Sequence, residues 1–264
     1  MEWPNFPCRG KLSRIFLGRN KAPLRATTFE FRYRFWLIVL LHGAAFGLYY
    51  FDQVSCGVAL LRLLAPSASP STLSGRHSLQ LIYGFGATLV FAGALLRTWA
   101  TAYMRADVVH GLKLQAQTLV ADGPYRHTRN PLYLGVMLMA LGLGLMASRA
   151  GWVFLAASIY LYLFRLIRRE EAELRQTQGA SYAAYVRAVP LFLPSLLPRI
   201  PAGGARPRWA QAFVSELFIW TYGLAELTYA VTLQAKPALM LAVIGFAINA
   251  QAIFATRARR QPSA

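Results

Sequence analysis

PLYLGVMLMALGLGLMAS (131–148), a lone Arg149, and AGWVFLAASIYLYLF (150–164) decide the fold. Neither run carries a charge, and one arginine stands between them. A helix rises about 1.5 Å per residue and a bilayer's hydrocarbon core is about 30 Å thick, so a crossing takes about 20 residues. Each run alone falls short of that. A tight helical hairpin turning at Ser148-Arg149-Ala150-Gly151 accommodates both, with the second helix continuing past Phe164 into water.

Further uncharged stretches lie on either side. Phe35–Phe51 is one, and Leu79–Met104 is interrupted only by Arg97. Leu217–Ala235 carries Glu226, and Pro237–Thr256 is clean. The expected fold class is therefore all-α: a polytopic integral membrane protein with about six transmembrane helices and a short hairpin at its centre. The 264 residues are 56% hydrophobic and only 14% charged, where a soluble domain averages about a quarter charged.

The formal charge of +18 and the pI near 10.7 would also suit a nucleic-acid binder. That function needs a basic face on a soluble domain. Here the basic residues sit between apolar runs, so topology accounts for them and no nucleic-acid partner is expected. The basic segments are the arm before Phe35, residues 105–130, residues 165–208 and the tail with Arg257, Arg259 and Arg260. The intervening loops hold only Arg62 and Arg76, then Arg149, then Lys236. Six crossings set these two groups on opposite sides, and the positive-inside rule then puts both termini in the cytoplasm. Residues 105–130 and 165–208 share that face and are joined by the short hairpin.

The chain divides into a basic N-terminal arm (1–34), a first span with its outer loop (35–78), a core (79–197), a Pro/Gly-rich linker (198–208) and a C-terminal helical pair with a basic tail (209–264). The arm is too long for the n-region of a signal peptide, so Phe35–Phe51 reads as an uncleaved span. Cys8 and Cys56 form neither a metal motif nor a disulfide framework, and no metal site is expected. No internal repeat is visible, and nothing in the residues sets an oligomeric state.

Two cytoplasmic segments carry polar chemistry. In DGPYRHTRNPLYLG (122–135), Gly123-Pro124 breaks a helix and Pro131 suits the first turn of the next. Arg126, Arg129, Tyr125 and Tyr133 cluster where a helix start offers free N–H groups and a positive dipole end. A carboxylate or phosphate would fit, and so would anionic lipid headgroups. The second segment is RREEAEL (168–174), followed by Gly179, Tyr182, Tyr185 and Pro190. Alone it reads equally as a solvated helix with i,i+4 ion pairs, and its tyrosines as interfacial anchors.

Taken together, the segments resemble a family. Gly123-Pro-Tyr-Arg-His-Thr-Arg-Asn-Pro-Leu-Tyr-Leu-Gly135 is similar to the G-x-Y-x-x-x-R-[HN]-P-x-Y-x-G motif of the isoprenylcysteine carboxyl methyltransferase and phospholipid methyltransferase superfamily. Glu170-Glu171-x-x-Leu174, Gly179, Tyr182, Tyr185 and Val189-Pro190 resemble its second motif at the same spacing. The likeness covers roughly residues 80–197. It implies an S-adenosylmethionine pocket facing the cytoplasm at the end of the hairpin. Carried over by position, Gly123, Tyr125, Arg126, Arg129, Asn130, Pro131 and Tyr133 would enclose the cofactor. Glu170 and Glu171 would lie near its amino or ribose end, and Arg129 and Glu171 would be the catalytic pair. Asn130 departs from the His usual in the isoprenylcysteine enzymes, so no His acid/base role is available there. His127 is off-register and reads as a loop residue.

Methyl transfer from a sulfonium suits these residue types. The protein must align a nucleophile and exclude water, and a carboxylate, thiolate or neutral amine needs no base. The expected substrate is lipophilic, entering from surrounding membrane lipids and methylated at a carboxyl oxygen or an amine nitrogen. The location is an integral membrane, the inner membrane in a prokaryote. Alternatives are a small-thiol S-methyltransferase of the same superfamily, an NADPH-dependent membrane reductase of related architecture, and a non-catalytic lipid-binding protein. Of the remaining ionisable groups, Glu226 is a candidate partner for Arg97 or a lining of the substrate entrance. Glu216 sits near a helix start, where the dipole favours an anion. His110 and Lys113 are candidate covers for the cofactor, more simply read as interfacial residues. Met137, Met139 and Met146 read as packing residues.

Overall fold

The computed structural model describes residues 25–104 and 121–258, and every regular element among them is a helix. In chain order these are α1 (Thr28–Arg32), α2 (Arg34–Gly47), α3 (Cys56–Leu64), α4 (Leu73–Tyr103), α5 (Pro131–Leu143), α6 (Arg149–Ala188), α7 (Trp209–Thr232) and α8 (Ala235–Ala258). The residues 1–24 of the basic arm, with Cys8, lie outside the described residues, as do Arg105, His110, Lys113 and the end of the tail. By length and composition α4 and α6 are each able to cross a membrane; Arg34–Tyr50, Pro131–Met146 and Ala235–Ile248 are shorter apolar helices.

The hairpin forms next to where the sequence places it: the chain reverses through Gly144–Ser148, and Arg149-Ala150-Gly151 are the first turn of α6. Ser148 caps α6, its Oγ accepting from the Gly151 N–H at 3.0 Å. The turn is strapped to the end of the first apolar region. Cys56 N–H donates to the Ala147 carbonyl and Arg149 N–H to the Val54 carbonyl. Arg149 and the Ala150 N–H both donate to Asp52, the closest guanidinium contact being 2.9 Å. Those bonds, Arg149 first, hold the Asp52 carboxyl down at about 2. Past Phe164, α6 runs on without a break to Gly179, as expected.

Glycines set how closely α4 and α5 pack. Gly86 and Gly93 are seven apart on α4, and Gly135 and Gly142 are seven apart on α5. The helices run antiparallel, so Gly86 meets Gly142 and Gly93 meets Gly135. A Cβ on Gly93 would lie 2.6 Å from the Gly135 carbonyl oxygen, and one on Gly135 would lie 2.9 Å from that of Gly93. Small residues of this kind let membrane helices approach backbone to backbone. Leu155, Ile159, Leu163 and Leu166 form the buried stripe of α6 and pack against Phe31 of α1, Ala45 of α2 and Ala140 of α5. Val90 and Ala94 of α4 meet Ile219 of α7 and Met139 of α5.

Three elements differ from the sequence reading. Helix α3 occupies part of what reads as an outer loop: Ser55 caps it, and Leu61 buries against Leu79 and Tyr83 of α4. Its apolar run is too short to register as a span. Helices α4 and α7 also begin before their apolar runs. In α4 the Thr72 hydroxyl caps Gly75, so polar residues extend the helix by more than a turn.

Candidate active site

The first motif is built by its breakers. Gly123 has φ +58, and a Cβ there would strike the Tyr103 ring at the end of α4, so only glycine fits at this start of the turn. The 3₁₀ turn Gly123–Arg126 follows, and Pro131 opens α5. The backbone between them is tied to the end of the second motif. Arg129 N–H donates to the Pro190 carbonyl at 2.9 Å. The fully buried Thr128 hydroxyl lies within reach of the Leu191 and Phe192 carbonyls, and Asn130 Nδ2 donates to Leu191 at 3.1 Å. Tyr185 donates to the Tyr125 carbonyl at 2.8 Å.

Gly179 makes that closure feasible. Its φ of 52 and ψ of −122 break the regular path of α6, and nothing crowds its α-carbon. Such a conformation is open to glycine and costly for other residues. Beyond the bend Tyr182, Tyr185 and Val189 pack with Leu174, Ala121 and Ile200. Burial pushes the phenols of Tyr125, Tyr182 and Tyr185 up, so they stay protonated.

The charged groups of the two motifs then meet across α5 and α6. Tyr133 donates to Glu170 Oε1 at 2.6 Å. Arg129 Nη2 lies 3.4 Å from Glu171 Oε1, with both side chains nearly buried, and Arg175 Nη2 lies 3.5 Å from Glu171 Oε2. Arg129 Nε and Nη1, and Glu171 Oε1, are buried with no hydrogen-bond partner in the protein; the 3.4 Å approach is a charge contact without hydrogen-bond geometry. Burial raises the Glu170 carboxyl, and the Tyr133 hydrogen bond opposes that shift. Beside Glu171 an open cleft of about 220 Å³ is lined by Arg25, Arg168, Ala172, Arg175 and Gln176.

The expected site residues thus fall into two sets. Arg129, Tyr133, Glu170 and Glu171 come together as charged and hydrogen-bonding groups. Tyr125, Arg126 and Asn130 brace the loop: Tyr125 Oη contacts Met104 Sδ, Arg126 Nε donates to the Ile200 carbonyl at 2.9 Å, and Asn130 holds Leu191. Gly123 and Pro131 act through the backbone. His127 is a loop residue as read, with Nδ1 2.8 Å from the Ser195 carbonyl and its ring against Trp99.

Sequence reasoning missed one wall and misassigned one pair. Residues 25–33 lie along α6: Arg165 binds Glu30 at 2.9 Å, Arg169 reaches the Ala26 carbonyl, and Tyr162 reaches that of Glu30. The available signal was the capping box, Thr27 with Glu30 three residues on. Arg97 pairs with Glu216, not Glu226. Glu226 is fully buried with neither oxygen hydrogen-bonded, close against Gly86. Among the described residues no cluster of three or more His, Cys, Asp or Glu could hold a metal.

Comparison with known proteins matches the same region. Residues 81–180 match the phospholipid methyltransferase family. The chain is 27% identical over 117 residues to protein-S-isoprenylcysteine O-methyltransferase B of Arabidopsis thaliana, covering 43% of this chain and 59% of that protein. It is 31% identical over 100 residues to the cobalt-zinc-cadmium resistance protein CzcN of Cupriavidus metallidurans, covering 38% of this chain and 43% of that one. The chain therefore spans about half the length of these curated relatives. No solved structure matches it. Through the segment 81–180, which holds the first motif, the hairpin and Glu170-Glu171, the chain is similar to the isoprenylcysteine carboxyl methyltransferase and phospholipid methyltransferase superfamily.

Proposed function

We propose that this protein is an integral membrane methyltransferase that uses S-adenosylmethionine to methylate a lipophilic substrate, at a carboxyl oxygen or an amine nitrogen, at the cytoplasmic face. The observation that carries the reading is the Arg129–Glu171 pair, with two guanidinium nitrogens and one carboxylate oxygen left buried and unbonded by the protein. A buried charged group without partners is expensive. The cofactor's amino-acid end brings one carboxylate and one ammonium, the complement of this pair. Arg129 would take the carboxylate through parallel N–H bonds, and Glu171 the ammonium.

When bound, the cofactor supplies a methyl group already activated by the sulfonium charge. The protein's share is orientation and dryness. Glu170 holds Tyr133, and the first turn of α5 would thereby present one face to the cofactor. The ties from Thr128, Arg129 and Asn130 to residues 190–192 close the other side of the loop. A nucleophile desolvated there needs alignment and no general base.

Membrane residence rests on the apolar helices. Leu81, Phe85 and Leu95 on α4, and Val153 and Leu161 on α6, point outward from the bundle, which suits lipid. Six crossings with both termini and the site in the cytoplasm follow from the basic segments, at the inner membrane in a prokaryote.

Calorimetry of the purified protein in detergent, with S-adenosylhomocysteine and with NADPH, tests the reading. S-adenosylhomocysteine is expected to bind and NADPH not. Binding of NADPH alone would replace it with a reductase, and binding of neither with a non-catalytic lipid-binding protein.

A further inference from the structure

Helix α7 lies outside the matched segment 81–180, yet it delivers a carboxylate to the structural base of the site. Glu216 is fully buried. Its Oε2 accepts from Arg97 Nε at 3.0 Å, and its Oε1 accepts from Arg97 Nη2 at 3.2 Å and from the Thr101 hydroxyl at 2.7 Å. Arg97 has one nitrogen left, Nη1, and it reaches the Leu132 carbonyl at 3.4 Å. The Arg97 stem also lies against Gly135, where a Cβ would come within 2.5 Å of Arg97 Cγ. Leu132 precedes Tyr133, which holds Glu170, and follows Arg129 by three positions in the same entry to α5.

We propose that Glu216, acting through Arg97, is a positioning residue for the methyltransferase site, fixing the first turn of α5 on which Tyr133 and Arg129 are presented. This rests on the function proposed above. The pair is not needed to attach α7 to α4. Ile219 already packs on Val90 and Ala94, Gly223 on Phe91, and Trp220 Nε1 donates to Thr98 at 3.1 Å. A buried ion pair adds little stability over apolar residues of the same volume. What apolar residues could not supply is a rigid bidentate fork whose third nitrogen is aimed at a chosen carbonyl.

The test compares E216Q, R97K and W220F with the wild-type protein in detergent, reading the S-adenosylhomocysteine Kd by calorimetry and the Tm by thermal unfolding. W220F loosens the α4–α7 contact without touching Leu132. The proposal expects E216Q and R97K each to weaken binding about fivefold, with W220F unchanged. Unchanged affinity in folded E216Q and R97K overturns it. So does an equal loss in W220F at matched Tm, which would make the effect one of stability alone. If E216Q is not recovered folded, T101V, which removes one hydrogen bond from Glu216, carries the comparison. It is expected to lose about twofold, and unchanged affinity there overturns the proposal. Absence of binding by the wild-type protein would instead fell the cofactor reading on which this one stands.

Discussion

Arg129 and Glu171 stand 3.4 Å apart on opposite sides of the hairpin, one at the entry to α5 and the other on the extension of α6 past the apolar stretch. Neither is satisfied by the other alone. R129A and E171Q are each expected to weaken S-adenosylhomocysteine binding at least about tenfold, since a hydrogen bond to a charged group contributes about 1.5–3 kcal/mol. R129K should fall between, because lysine lacks the planar fork. Calorimetry decides; affinity unchanged in both R129A and E171Q removes this pair from the site.

The α4–α5 crossing makes a second expectation. G93A places a Cβ 2.6 Å from the Gly135 carbonyl, which is backbone and cannot swing aside. Overpacking of this kind costs about 1–3 kcal/mol. A lowered Tm is expected for G93A, whereas G84A, with open space at its Cβ, should leave Tm near wild type. Equal Tm values for G93A and wild type would contradict the close approach.

Gly179 separates conformation from contact. A methyl group there meets nothing within 4 Å, yet φ is +52. G179A should cost about 1–3 kcal/mol from backbone strain alone, and should also weaken cofactor binding through Tyr182 and Tyr185. Circular dichroism melts together with calorimetry check both. Full tolerance of alanine would mean that the bend is not held in the folded protein.

At the far end of the hairpin, Arg149 and the Ala150 N–H hold Asp52 at about 2, below its ordinary 3.8. A depressed carboxyl contributes stability that is present above its unfolded pKa and lost as pH falls through the folded one. The wild-type Tm should therefore decline between about pH 4 and pH 2, and D52N should lack that part of the decline. Parallel profiles for the two proteins would assign the decline to other groups.

Much of this architecture was legible in residues alone, for identifiable reasons. Apolar runs and helix breakers are local signals, so the hairpin turns next to Ser148-Arg149 and the turn at Gly123-Pro124 stands where it was read. The meeting of Arg129 with Glu171 followed from two motifs on one face of a short hairpin. What stayed hidden depends on register between distant helices. Glu216 and Glu226 share α7, and either looks able to reach Arg97. Only the packing of α7 on α4 brings Thr101 and Arg97, one turn apart, to Glu216. Likewise α1 holds five residues within a basic arm, and its partners Arg165 and Arg169 are remote in sequence.

The segment between α6 and α7, read as a linker, is anchored at several points. Asp122 accepts from the Gly203 and Ala205 N–H groups, Arg126 Nε donates to the Ile200 carbonyl while the Arg199 N–H donates to that of Arg126, and Arg208 N–H reaches the Ala102 carbonyl. It works as a tendon, inserted on the loop that carries Tyr125 and pulled from the start of α7. Any tilt of the C-terminal helical pair, by lipid thickness or a neighbouring protein, would load that loop first. The last two helices are thereby mechanically in series with the site, although no side chain of theirs need touch what binds there.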